Sequence, residues 1–361
     1  MKKHIRLNMI VKNEAHVILR CLSSLKPWIS SWCIVDTGST DGTQKLIQEY
    51  LADLPGQLYE RPWKNFGFNR TEALNLAVSS HLPSADYLLF IDADEQLRIT
   101  DSQVFENLED DAYYASVIYG GLRYKRNALI STRLDWEWKG VLHEYLDSNQ
   151  PHKWHDLNGL NIFVQHDGAR AKDKTTYLKD INLLEEALKD EPDNTRYLFY
   201  LAQSYRDAGM LEKSRELYLK RASLGGWQEE CWMAKFRAAQ MADRLNLDEN
   251  LIYREYLKCW IEKQNRAEPL YELARYYRYK KDYDLSCYFA AQALEVPFPK
   301  EGLFIEASVY EWRILDELSV SATYCKAYKS QGKDAISQLL KERKYPEFHH
   351  KRILANLTCY K

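Results

Sequence analysis

The chain has 361 residues, 45% of them hydrophobic and 28% charged, which suits about two domains with real cores and excludes a single small module or a disordered chain. Fifty Lys and Arg against 52 Asp and Glu give a net charge of -2, without the basic excess that sequence-independent phosphate binding requires, so no nucleic-acid partner is expected. Seven scattered cysteines with no C-x-x-C pair exclude a disulfide framework or zinc knuckle and read as reduced and mostly buried.

The opening MKKHIRLNMIVKNE is broken too early by Lys12, Asn13 and Glu14 to be a signal peptide. No run approaches the roughly 20 apolar residues of a membrane span, so no integral membrane segment is expected and the predicted location is cytoplasmic. Short apolar strands then alternate with helical stretches. Strands are predicted at 5–11 (IRLNMIV), 32–36 (WCIVD), 57–60 (QLYE) and 86–92 (DYLLFID), with helices at about 14–25, 41–52 and 69–79. This is the βαβ rhythm of a largely parallel sheet, whose ligands sit at the carboxyl ends of strands.

From about Thr176 the pattern is helical almost throughout. Nine of fourteen glycines precede residue 170, whereas eighteen of twenty-six tyrosines follow residue 176, and the shift places a boundary at 175/176. LFYLAQSYRDAGMLEKSRELYLKRA (198–222) is matched by PLYELARYYRYKKDYDLSCYFAAQA (269–293) at an offset of 71, about twice the roughly 34-residue tetratricopeptide period. A divergent middle copy fits at 232–257. Such helix pairs bury their apolar stripes only against neighbours, so the tyrosines read first as packing and second as an aromatic groove for a partner.

The chemistry is sought after the strands. DYLLFIDADEQL ends a buried strand in Asp92, Ala93, Asp94 and Glu95, a way to hold a hard divalent cation on oxygen ligands, although a solvated acidic turn explains the same letters. IVDTGSTDGT (34–43) ends another strand in Asp36, with Asp41 or Thr40 placed to cap the next helix. MIVKNE carries Asn13 and Glu14 to a third strand end. Neither G-x-G-x-x-G nor G-x-x-x-x-G-K-[ST] occurs, so neither a dinucleotide fingerprint nor a P-loop is supported.

MIVKNE, VDTGSTDGT, NRTEALNLA (69–77), FIDADE, WKGVLHE (138–144) and HDG (166–168) occur in an order that resembles family 2 glycosyltransferases of the GT-A fold, in the group that carries C-terminal tetratricopeptide repeats. The resemblance implies an α/β GT-A domain, Rossmann-like, of the nucleotide-diphospho-sugar transferase type, at 1–175. An all-α tetratricopeptide-like repeat domain follows at 176–361. It further implies that the backbone of Met9, Ile10 and Val11, with Asn13, Glu14 and Asp36, holds the base, Asp36 accepting the uracil N–H. Arg70 would contact base or phosphate, Asp92 and Ala93 the ribose and metal region, and Lys172 or Lys174 the diphosphate. Asp94 would bind Mn²⁺ or Mg²⁺ directly, and His166 is the positional match for a completing histidine. Inversion needs a base near the acceptor. Glu144 is the first choice, His143 the rival, and Glu95 or Asp135 a third option, with Trp136 and Trp138 offered as sugar-stacking faces. His152, His155, His349 and His350 read as surface or core residues.

The expected function is metal-dependent, inverting hexosyl transfer from a UDP-sugar. The repeats suggest a protein or peptide side chain as acceptor. The alternatives are glycan or lipopolysaccharide elongation, with the repeats serving assembly into a homo-oligomer, and a repeat scaffold whose transferase domain has decayed.

Overall fold

A computed structural model of the chain describes residues 3–79, 81–119 and 122–360. Contacts divide it into two compact units, Met1–Pro192 and Asp193–Lys361. The first unit contains β1 (Ile5–Val11), α1 (Ile18–Leu25), β2 (Ser31–Asp36), α2 (Thr43–Tyr50), β3 (Gly56–Glu60), α3 (Phe66–Ser79), β4 (Tyr87–Phe90) and β5 (Glu95–Ile99). It continues with β6 (Ala112–Tyr119), β7 (Leu122–Ser131), β8 (Trp136–Lys139), β9 (Tyr145–Ser148), β10 (Trp154–Val164), α4 (Ala169–Lys172) and α5 (Thr176–Asp190). The expected boundary at 175/176 would place α5 with the repeats. Contacts place it in the first unit, and Arg170 on α4 ties it there by donating to both carboxylate oxygens of Asp180 at 2.6 Å.

The main sheet has eight strands in the order β3-β2-β1-β4-β7-β6-β10-β5. Only β3-β2-β1-β4 is wholly parallel. Beyond it, β7 runs antiparallel to β4 and β6, β10 parallel to β6, and β5 antiparallel to β10. The expected parallel sheet is therefore half of a mixed one, and β8 and β9 form a separate hairpin.

The two faces of β1 explain its place between β2 and β4. Ile5, Leu7, Met9 and Val11 join the core with Ile18, Cys21, Leu22 and Leu25 of α1, each fully buried side chain contributing about 1.5–3 kcal/mol. The opposite face carries buried Arg6 and Asn8. Arg6 donates to Ser31 Oγ at 3.0 Å and to the carbonyls of Ala77 and Pro83, and Asn8 donates to the Ala73 carbonyl at 2.9 Å. One of these carbonyls lies in the last turn of α3, where no helical donor reaches.

The second unit is helical: α6 (Thr195–Asp207), α7 (Leu211–Ser223), α8 (Gln228–Arg244), α9 (Glu249–Glu262), α10 (Glu268–Tyr279), α11 (Tyr283–Leu294), α12 (Ile314–Ser321), α13 (Lys329–Glu342) and α14 (His350–Leu357). One turn recurs within the first three pairs. Met210 N–H donates to the Tyr205 carbonyl, Leu247 N–H to Ala242 and Asp282 N–H to Tyr277, at 2.8, 3.1 and 2.9 Å. Each follows a left-handed residue, Gly209, Asn246 or Lys281, the αL helix stop that satisfies late carbonyls.

Ser214 and Ser286 make the same hydrogen bond, to the carbonyls of Ala202 and Ala274. Positions 202, 209 and 214 thus correspond to 274, 281 and 286, an offset of 72 rather than 71. Tyr205, Tyr218, Tyr256, Tyr271 and Tyr277 are core residues, whereas Tyr279 and Tyr324 stay about two-thirds exposed. All seven cysteines are free, and only Cys359 is exposed. Among the described residues no helix is long and apolar enough to cross a membrane.

Arg221 and Glu230 form a buried ion pair at 2.5 Å, with side chains 1% and 5% exposed. Arg221→Leu leaves the carboxylate without a countercharge and is expected to cost about 3–5 kcal/mol in urea unfolding. The double variant Arg221→Leu, Glu230→Met is expected to recover most of that loss. Equal instability of the single and double variants would show that packing, not the buried charge, sets the cost.

Candidate active site

The parallel half of the sheet brings three predicted segments to one edge. After β1, Asn13 takes φ 57°. Its N–H donates to Ser39 Oγ and its side-chain carbonyl accepts from Thr40 N–H, both at 2.8 Å, which locks the β1 loop to the β2 loop. Asp41 accepts from Thr43 N–H at 3.1 Å and from Ala15 N–H at 3.0 Å, which fastens the same loops beside α2. Met9 and Val11 pack in the core and Ile10 is half-buried, so this strand offers a ligand chiefly backbone.

Asp36 is 1% exposed. Its Oδ1 accepts from Gly38 N–H at 2.9 Å, Ser39 N–H at 2.8 Å and Gln44 Nε2 at 3.2 Å. Its Oδ2 is buried with no donor among the described residues, a state that costs free energy until a donor arrives.

The acidic turn after β4 is sorted by two arginines. Arg70, from α3, donates to Asp92 Oδ1 at 2.6 Å and stands 2.6 Å from Glu144 through its Nε. Arg126, from β7, grips Glu95 through both Nη atoms at 2.7 and 2.5 Å and lies 3.5 Å from Asp92 Oδ2. Glu95 also accepts the Asp92 N–H at 2.9 Å. Burial works against the charged Asp92 carboxylate, but Arg70 and Arg126 outweigh it and hold that carboxylate ionised below the usual range. Ala93 is buried in the core.

Asp94 and Glu14 have no such partner: among the described residues neither forms an ion pair. Burial, and then the Asp92 charge, raise the Asp94 carboxyl against a hydrogen bond from the Gly168 backbone. A Cβ at Gly168 would stand 3.1 Å from Asp94 Cβ, Cγ and Oδ2, so this glycine lets the 166–170 segment lie on the carboxylate. That segment is pinned by Arg20, which donates to both oxygens of Asp167 at 2.7 and 2.6 Å and to the Asp94 carbonyl at 3.2 Å. Ala169 N–H completes the attachment by donating to both Glu14 oxygens at 3.2 Å.

Burial, opposed by that N–H and reinforced by Asp94 and Asp92, pushes Glu14 up to about 7. Because the folded pKa is raised, the stability Glu14 contributes is full below the free carboxyl's 4.5 and is lost as pH rises through 7. Glu14→Gln is therefore expected to flatten the pH dependence of the urea midpoint and to gain about 1–3 kcal/mol relative to the parent at pH 8.5. Parallel curves for the two proteins between pH 5 and 8.5 would refute this.

His166 and His143 both take left-handed backbone, at φ 55° and 53°. His166 is exposed, its ring 5.4 Å from Tyr119, two residues from the glycine that touches Asp94. His143 is exposed beside Glu144, whose side chain is 10% exposed. Lys172 and Lys174 are exposed, as is Asp135. The stacking role expected for Trp136 and Trp138 is corrected: they are 5% and 8% exposed and belong to the core. Trp136 donates to the Ser131 carbonyl at 3.0 Å, and Trp138 packs edge-on to Phe90 at 5.1 Å. His152 stands edge-on to Trp136, and His350 hydrogen-bonds Tyr345 Oη, so both are packing residues.

The sequence reading gave no role to Arg20 or Arg126, and quoted Gly168 only as the end of the HDG motif. Arg20 is one charge on the amphipathic α1, and Arg126 sits in LRYKRNALIS, where three basic residues resemble a solvated strand.

Residues 8–168 match Glycosyl transferase family 2. The N-terminal unit carries a family 2 glycosyltransferase domain. SunS, an SPbeta prophage-derived glycosyltransferase of Bacillus subtilis, is 29% identical over 235 residues, covering 60% of this chain and 53% of SunS. A TPR repeat-containing protein of Synechococcus elongatus is 26% identical over 212 residues, covering 53% and 49%. The lipopolysaccharide core biosynthesis glycosyltransferase LpsC of Rhizobium meliloti is 34% identical over 90 residues, 25% of this chain and 31% of LpsC. The chain thus spans about half the length of the first two relatives. The helix-pair architecture of the second unit rests on its own repeated turn.

The glycosyltransferase domain suits a hard divalent cation in charge and donor type, because Asp94 and Glu14 are oxygen donors left without a positive partner. Among the described residues no three His, Cys, Asp or Glu side chains are disposed to share a metal.

Proposed function

We propose that the chain transfers a sugar, with inversion and with the help of a divalent cation, from a UDP-sugar to a protein or peptide side chain selected by the repeats. The observation that carries this reading is the division of the carboxylates: Asp92 and Glu95 are held by guanidinium groups, while Asp94 is half-buried and, among the described residues, has none. Mn²⁺ or Mg²⁺, held by Asp94 with His166 nearby, would supply charge stabilisation for a diphosphate leaving group. Asp36 Oδ2 supports uracil as the base, since it needs an N–H donor that the described residues do not provide.

The protein's own part follows from charge. Arg70, and Lys174 on the exposed side, stabilise the diphosphate as the bond from the anomeric carbon to its oxygen breaks. The acceptor atom attacks from the opposite face and forms the new bond, and Glu144 takes its proton. UDP leaves with the electron pair of the broken bond. The seven free cysteines support a cytoplasmic setting for this chemistry.

The match to LpsC favours a second reading, in which the acceptor is a growing glycan. Calorimetric titration of UDP, GDP and CDP, each with and without Mn²⁺, tests the donor half of the proposal. UDP binding that requires Mn²⁺ is expected. Absence of binding by all three would overturn the transferase reading and favour the repeat scaffold. UDP release from UDP-sugars in the presence of peptide or glycan acceptors then separates the two acceptor classes.

A further inference from the structure

Four carboxylates crowd the ends of β1 and β4, namely Glu14, Asp92, Asp94 and Glu95, and their positive partners are unevenly shared. Arg20 is spent on Asp167 and only reaches the carbonyl of Asp94. Arg70 divides itself between Asp92 and Glu144. Glu95 is 2% exposed, and Arg126 is its one ion-pair partner among the described residues. The same guanidinium lies 3.5 Å from the Asp92 oxygen that Arg70 does not take.

Resting on the transferase reading above, we infer that Arg126 is a positioning residue that assigns the cation to Asp94. It neutralises Glu95 and one side of Asp92, and so keeps both from competing as ligands. Three observations carry the assignment. Arg126 comes from β7, the strand beside β4 in the sheet, so its grip is set by strand pairing, with β4 on one side and Ala115 of β6 on the other, and not by the turn itself. Glu95 is additionally locked by accepting the Asp92 N–H, and its own N–H donates to the Asp92 carbonyl at 3.1 Å, which fixes the turn in the conformation that projects Asp94 toward Gly168. Without the guanidinium, Glu95 and the free side of Asp92 would be a pair of anionic oxygen donors, of the hardness that Mn²⁺ prefers, in rivalry with Asp94.

The role predicts an effect opposite in sign to simple damage. Arg126→Gln is expected to tighten Mn²⁺ binding measured without nucleotide by about tenfold, because Glu95 loses its countercharge and Asp92 keeps only Arg70. It is expected to weaken UDP binding in saturating Mn²⁺ by about tenfold, because the cation is drawn away from Asp94. The double variant Glu95→Gln, Arg126→Gln, which keeps the charge balance of the pair, is expected to return nucleotide-free Mn²⁺ affinity to near the parent value.

A mere brace would lower the melting temperature of Arg126→Gln while leaving both affinities where they were, and that result overturns the inference. If Arg126→Gln does not fold, Glu95→Gln in the full chain provides the test. It releases Arg126 wholly onto Asp92 and is expected to weaken nucleotide-free Mn²⁺ binding, and unchanged binding overturns the inference equally. Failure of the parent protein to bind UDP with Mn²⁺ would instead remove the transferase reading, while the nucleotide-free Mn²⁺ titrations still decide the role of Arg126.

Discussion

Asp94→Asn is expected to abolish Mn²⁺-dependent UDP binding and to cut release of UDP from UDP-sugars by about 10²–10³-fold, the scale of losing one charge-stabilising group. The fold should hold. Burial and the neighbouring Asp92 already disfavour the charged form of Asp94, so its ionisation costs stability in the metal-free protein. The raised carboxyl contributes stability that is present at low pH and lost as pH rises, and asparagine imitates the neutral form at every pH. Thermal unfolding at pH 8 is therefore expected to be unchanged or higher in the variant. The near-identical shape of the side chain keeps the close fit to Gly168. A stable variant with full UDP release would remove the metal assignment. A variant that unfolds early would show that Asp94 serves the turn and not a cation.

Glu144→Gln carries the second large expectation: turnover falls by about 10²–10⁴-fold while UDP affinity in Mn²⁺ stays near the parent value. One guanidinium joins Glu144 to Asp92, with contacts of 2.6 Å on each side. An arriving diphosphate would compete with Glu144 for the same guanidinium. Donor binding and the placement of Glu144 are then linked through a single side chain. The measurement separates kcat from nucleotide affinity in the same preparation. Loss of affinity in parallel with turnover would make Glu144 a holder of Arg70. A larger loss in His143→Ala than in Glu144→Gln would move the base to the histidine.

Much of this domain was legible from its letters. IRLNMIV reads as a strand because its burial is continuous on both faces, and β1 spans those seven residues. The acids after β2 and β4 could be placed because apolar runs end abruptly in them. The second half of the sheet was harder to read, because β5, β7 and β10 pair across long separations and their partners leave no local mark. Trp136 and Trp138 misled for a related reason: tryptophans among charges look available to a sugar, yet alternation along β8 turns both to the same buried face. In the repeats the period was visible but the register was off by one, and the left-handed stops at Gly209 and Lys281 fix it. Lysine gives no hint of that backbone.

The position of β5 has a consequence for the order of assembly during synthesis. It stands at the end of the sheet, and its sheet neighbour is β10, which closes at Val164. A nascent chain that has released β1 to β4 can already pair its parallel strands and set Asn13 and Asp36 at their ends. The strand that begins with Glu95 has no sheet partner until residue 164 has emerged, and Gly168 and Ala169 reach Asp94 and Glu14 later still. The ribosome thus delivers the loops after β1 and β2 first and the surroundings of Asp94 last, so a chain arrested before β10 would hold a parallel half-sheet without the contacts that set Asp94 and Glu14.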